Sequence, residues 1–116
     1  MSAQALAAAA TNSELPLPDA TTLATAAKFA QQQDKPIMMD YYADTVAKRA
    51  FIGVDKETDE KILVKNREEF TSLIKKIGKA GKDFLVMTEN SIYIVSGTIE
   101  KKIIGVSKML QEVEDF

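Results

Sequence analysis

The residues of this chain whose clustering could do chemistry are its lysines. Lys75, Lys76, Lys79 and Lys82 follow one another closely, and residues 61–82 carry seven basic groups against Glu68 and Glu69. Ammonium groups so placed can neutralise phosphates without reading a base sequence, and Tyr41, Tyr42 or Tyr93 could offer faces for base stacking. The competing reading, favoured here, is that lysines on a sheet edge discourage stray strand pairing or answer an acidic neighbour. Other chemistry is scarce. The chain has no histidine and no cysteine, which removes the usual general base, the thiol nucleophile and the thiolate zinc ligand. Carboxylates remain, but Glu68 and Glu69 are adjacent and diverge on a strand, while Asp40 and Asp44 stand apart. Asp55, Glu57 and Asp59 take the first, third and fifth places of a calcium-type loop. Glu60 then stands where such a loop needs glycine, and Asn66 where it needs a bidentate glutamate, so a solvated hairpin loop is the better reading. No phosphate loop or dinucleotide fingerprint is present. The expectation is a protein that is not an enzyme and takes no metal or cofactor.

The chain of 116 residues has room for one domain, and at 46% hydrophobic and 28% charged its composition is that of a globular protein. Without cysteine no disulfide scaffold is possible. The opening Met1-Ser2-Ala3-Gln4 lacks a basic region and the Ala-rich stretch after it makes a poor secretory signal. No apolar run approaches the ~18 residues of a membrane span. The net charge of −2 hides an uneven spread, with the basic segment 61–82 lying between acidic segments.

The lysines are placed by the elements around them. The clearest element is Asp83–Ser96, in which two apolar runs flank Glu89-Asn90, a pair that can close a two-residue hairpin. That register sets Met87 opposite Ile92, Val86 opposite Tyr93, Leu85 opposite Ile94 and Phe84 opposite Val95. Leu85, Met87, Ile92 and Ile94 then share one face, and Phe84, Val86, Tyr93 and Val95 the other. Both faces are apolar, which predicts a central hairpin covered on both sides. Upstream, residues 1–18 form an Ala-rich arm broken by Pro16 and Pro18. Residues 19–33 make a helix capped by Asp19, Thr21 or Thr22, with a thin stripe of Leu23, Ala26, Ala27 and Ala30 beside Phe29 and a stop at Pro36. The stretches 37–42, 50–54 and 61–65 are β-rich. Residues 66–81 carry two signals. Phe70, Leu73, Ile74 and Ile77 have helical spacing, yet the run also suits a strand turning through Gly78-Lys79-Ala80-Gly81 into the hairpin. After Gly97, the spacing of Ile99, Ile103, Val106, Leu110 and Val113 predicts a C-terminal helix, firm from about Val106.

Gly78-Lys79-Ala80-Gly81 also matches the loop by which KH domains clamp a nucleic-acid backbone. In that family the loop joins two helices, whereas here residues 83–88 read as a strand. More broadly, Lys35–Tyr42, Ile62–Lys65, Glu68–Ser72 and Thr88–Val95 resemble small virion-associated proteins of nucleocytoplasmic large DNA viruses of phycodnavirus or mimivirus type, over about residues 35–104. The resemblance implies a minor capsid component found in the virion or host cytoplasm, with other proteins of a capsid-type assembly as partners. It also tips residues 67–77 to strand. The fold class expected is α+β, a mainly antiparallel β meander or small barrel with an N-terminal arm and helix and a C-terminal helix. Residues 1–33 form the arm and helix, and residues 34–116 the single β-rich domain. The function expected is structural, with protein contacts through Leu6, Leu15, Leu17, Leu23 and Phe29. The alternative is a nucleic-acid module using Lys75, Lys76, Gly78, Lys79, Gly81 and Lys82.

Overall fold

A computed structural model describes residues 17–106. In chain order the elements are α1 (Ala20–Gln33), β1 (Ile37–Met38), α2 (Tyr42–Val46), β2 (Phe51–Asp55), β3 (Lys61–Asn66), β4 (Glu69–Phe70), β5 (Ile74–Ala80), β6 (Asp83–Thr88), β7 (Ile92–Val95) and β8 (Glu100–Ile104). The strands divide between two four-stranded sheets, ordered β1-β7-β6-β5 and β4-β3-β2-β8. Pairing is antiparallel apart from β1 with β7 and β2 with β8. The fold is α+β, with the meander β5–β6–β7 supplying three strands of one sheet.

The hairpin at 83–96 has the expected register, Phe84 opposite Val95, Leu85 opposite Ile94, Val86 opposite Tyr93 and Met87 opposite Ile92. Its two faces serve two cores. Leu85, Met87, Ile92 and Ile94 meet Ala26, Tyr42 and Ala80, with Phe29, Ala30 and Ile37 beside them. Val86 and Val95 meet Ile52, Val54, Leu63, Ala50 and Tyr41 of the second sheet's side. The layers are therefore helix, sheet, sheet. Leu85, Ile92 and Ile94 are fully buried, and each such side chain contributes about 1.5–3 kcal/mol. A third cluster on the outer face of the second sheet joins Ile62, Val64 and Val106 to Phe51, Phe70, Leu73 and Ile104. Gly53 belongs to that face because any Cβ there would collide with the Ile104 side chain.

Asp19 is the N-cap of α1, its Oδ1 accepting the Thr22 N–H at 2.8 Å. The helix ends at Asp34, which takes a left-handed φ of 54° and donates its N–H to the Ala30 carbonyl. Thr22 and Ala26 form its buried face, while Leu23 and Ala27 point outward. The packed stripe is thus rotated from the one the spacing suggests, because Thr22, not Leu23, reaches the sheet's polar end.

Two expectations are corrected, and one ambiguity is resolved. The β-rich stretch 37–42 is a strand only at Ile37–Met38. The backbone then turns, Tyr42 donating its N–H to the Met39 carbonyl at 3.1 Å, and α2 begins. This sends Tyr41 into the core between the sheets and Tyr42 into the core beneath α1. Residues 100–104, expected to be helical, form β8. The β-branched Ile103-Ile104 pair and Gly105 are poor helix formers, and five parallel register pairs with β2 decide the outcome. Within 66–81 the strand reading holds, and the helical spacing dissolves. Phe70 and Leu73 pack on the outer cluster, whereas Ile74 and Ile77 pack between the sheets. The C-terminal helix expected from about Val106 falls on residues outside the described ones, as do Leu6 and Leu15 of the arm.

Candidate interaction site

One end of the sandwich gathers α1, α2, the β5–β6 turn and the β7–β8 loop around a buried carboxylate. Asp83 is 1% exposed. Its Oδ1 accepts the Tyr42 hydroxyl at 2.9 Å, and its Oδ2 lies 2.8 Å from Thr22 Oγ1. Thr22 Oγ1 also lies 2.8 Å from the Ala80 carbonyl oxygen and 2.9 Å from Asp19 Oδ1. A hydroxyl has one hydrogen, so it serves one of these acceptors at a time. Tyr42 is therefore the constant donor to Asp83. Burial, then the bond to Asp83, pushes the Tyr42 phenol well above its ordinary value. The Thr22 N–H, followed by the Thr22 hydroxyl, holds Asp19 below the usual carboxylate range.

The same end is locked by tight turns. Gly81 has φ 62°, and a Cβ there would come within 2.9 Å of Asp19 Oδ1. At Gly97 a Cβ would collide with the Lys82 carbonyl. Where β1 stops, the Thr45 hydroxyl takes over from the sheet. It accepts the Ser96 N–H at 3.0 Å and donates to the Tyr42 carbonyl at 2.7 Å. Ser96 and Thr98 hydroxyls bond to each other at 2.8 Å, and Lys48 Nζ donates to the Thr98 carbonyl at 3.0 Å.

Above this framework is a cleft of about 480 Å³, bounded by Leu17, Tyr42, Val46, Lys82 and the Ser96–Thr98 loop. Its polar floor is internally bonded, and among the described residues no buried side-chain polar atom lacks a partner. Its rim is apolar. Leu17 is 57% exposed and Val46 38%. What the arrangement offers is a concave surface for an apolar side chain, adjoining Leu17, the first described residue.

The residues singled out from sequence are dispersed. Leu17 lies at the cleft, Leu23 is exposed on α1, and Phe29 is half-buried against the core beneath the helix. Lys75, Lys76, Gly78 and Lys79 lie on β5, an outer strand. Lys79 pairs with Phe84 and Lys76 with Met87, residues of opposite sheet faces, so these two lysines do not share a side. Lys75 Nζ lies 3.6 Å from Glu89 Oε1. Asp59 and Glu60 share a depression with Lys75 and Lys76, and Lys82 reaches the cleft. Gly81 makes the β5–β6 turn, and Gly78 is within a strand, not between helices.

A second polar group was not legible in the sequence. Lys65 Nζ lies 4.6 Å from the Tyr41 ring centroid and 3.4 Å from both Asp44 Oδ2 and Glu69 Oε2. Burial lowers the Lys65 pKa, but the bond to Asp44 and the charges of Glu69 and Asp44 outweigh it and raise the pKa overall. Tyr41 meets Tyr93 edge-on at 5.5 Å. Each charge in this group is answered, so it braces the join between α2 and the sheets. In the Asp55–Glu60 loop, Asp55 Oδ1 accepts the N–H groups of Glu57 and Thr58. Among the described residues no three potential ligands gather into a metal site, and no helix is long and apolar enough to cross a membrane.

Comparison with known proteins finds no matching family model, no matching curated protein and no matching solved structure.

Proposed function

We propose that the protein is a non-enzymatic interaction protein, working as a component of a larger assembly whose contacts are made at the cleft end. The observation that carries this reading is the pair Leu17 and Val46. Two large apolar side chains stand exposed at the lining of a cleft whose polar floor is already satisfied. Apolar contact and backbone pairing suffice for docking of this kind, and no reactive side chain is needed. Leu6 and Leu15, outside the described residues, are further apolar contacts in this reading. The resemblance noted in the sequence makes the assembly a large-DNA-virus particle and the protein a minor capsid component in the virion or host cytoplasm.

The alternative, nucleic-acid binding through Lys75, Lys76, Lys79 and Lys82, is less supported because these lysines do not line one side and Lys75 is paired with Glu89. Sedimentation of the native protein from the cells that make it separates the readings. Particle-associated protein that nuclease does not release, and that added salt does not displace, supports the assembly role. Release by nuclease, or a linear log–log loss of binding with salt, moves the assignment to the lysines.

A further inference from the structure

We propose that a second copy of this chain pairs with the free edge of β8, joining the two second sheets into one continuous sheet across a twofold axis. The two sheets have four edges, and three are ill-suited to pairing. β1 and β4 are two residues long, and β5 presents Lys75, Lys76 and Lys79 without an acid. Short or lysine-rich edges are the usual protections against strand addition. β8 lacks them. It pairs with β2 on one side only among the described residues. It mixes Glu100 with Lys101 and Lys102, and it ends in Ile103, 66% exposed and the most exposed large apolar side chain described.

The β8 sequence complements itself. Glu100 and Lys102 lie opposite Phe51 and Gly53 of β2, and Lys101 and Ile103 opposite Ile52 and Val54. Ile52 and Val54 face the core between the sheets, so Ile103 and Lys101 share that side with Ile99. A twofold axis perpendicular to the sheet keeps each residue on its own face, so only residues of matching parity can stand opposite one another. With the axis at Lys101, Glu100 faces the Lys102 of the second copy, and Ile99 faces its Ile103, each pair occurring twice. Opposite charges and β-branched pairs across antiparallel strands are both favourable. The one unfavourable pair is Lys101 with itself, two exposed and flexible side chains that can splay apart. Moving the axis to Lys102 sets Glu100 and Lys101 against isoleucines and Lys102 against itself. Centring on Lys101 is therefore favoured by both charge and shape. This surface is distinct from the cleft end and does not depend on the role proposed for it.

Sedimentation velocity of the full chain over a concentration series tests the pairing. Wild type is expected to show a monomer–dimer equilibrium. Glu100→Lys sets like charges opposite Lys102 twice and should weaken the dimer on the order of tenfold or more. Adding Lys102→Glu in the same chain reverses both partners and should restore it. Both side chains are exposed, so unfolding midpoints act as the folding control. A monomer at every concentration overturns the proposal. So does a dimer indifferent to Glu100→Lys, or a loss that the double reversal does not recover.

Discussion

Removal of the Asp83 carboxylate tests whether the cleft end is held together as described. Asp83 and Tyr42 are 1% and 4% exposed, and the bond between them is 2.9 Å long. A hydrogen bond to a carboxylate contributes about 1.5–3 kcal/mol, and a stranded buried hydroxyl costs about 1–3 kcal/mol. Thr22 loses little, because the Ala80 carbonyl remains 2.8 Å from its hydroxyl. Asp83→Ala should therefore destabilise by about 3 kcal/mol and Tyr42→Phe by about 2 kcal/mol. The double variant should fall short of the sum by about 2 kcal/mol, since both changes remove one bond. Urea unfolding reads this as a lowered midpoint with the slope unchanged. In heat, at 4–8 °C per kcal/mol for a domain of this size, Asp83→Ala should melt roughly 12 °C or more below wild type. A coupling indistinguishable from zero, or an Asp83→Ala midpoint within about 0.5 kcal/mol of wild type, would refute the network.

Other consequences are open to the same kind of measurement. Gly97→Ala drives a Cβ into the Lys82 carbonyl and should cost about 2 kcal/mol or more, whereas Gly78→Ala, with nothing within 4 Å, should stay within about 0.5 kcal/mol of wild type or gain slightly. Because the folded-state pKa of Asp19 lies below its ordinary value of 3.8, its contribution is full above that pH and fades as pH falls through the lowered value. An acid titration of stability should therefore lose part of its slope in Asp19→Ala. The phenols of Tyr41, Tyr42 and Tyr93 are all raised, chiefly by burial. Raised folded values mean stability is full below pH 10.0 and is lost as pH climbs above it, so absorbance at about 295 nm should show little phenolate at pH 10 until the protein unfolds.

The hairpin 83–96 was legible because its strands are adjacent in sequence and apolar on both faces, which fixes register and layering together. A cap near Asp19 was legible for a similarly local reason, although the sequence left Asp19, Thr21 and Thr22 open and the structure selects Asp19. Elsewhere the decisive contacts are distant. β8 forms on β2 nearly fifty positions away, as does the bond between Thr45 and Ser96, |i−j| = 51, and no local pattern announces either. The period of Phe70, Leu73, Ile74 and Ile77 was real but accidental, since a bend at Thr71–Leu73 divides those residues between two cores. Of the cleft, Leu17 was visible as an apolar residue of the arm. Val46 was not, and Tyr42 and Lys82 were visible only as a stacking face and a basic residue, because residues 42–46 carry no helix-start signal and Tyr41 caps α2 without a side-chain bond.

The central claim is that Leu17 and Val46 at the rim of the cleft are where this protein joins its assembly. The most direct test is to express Leu17→Asp/Val46→Asp beside wild type in the native setting and to compare what sediments with large particles. Both positions are exposed, so the variant should keep the wild-type unfolding midpoint to within about 0.5 kcal/mol. The account predicts that wild type sediments with the particles and the variant stays in the supernatant. A folded variant that sediments as fully as wild type would contradict it.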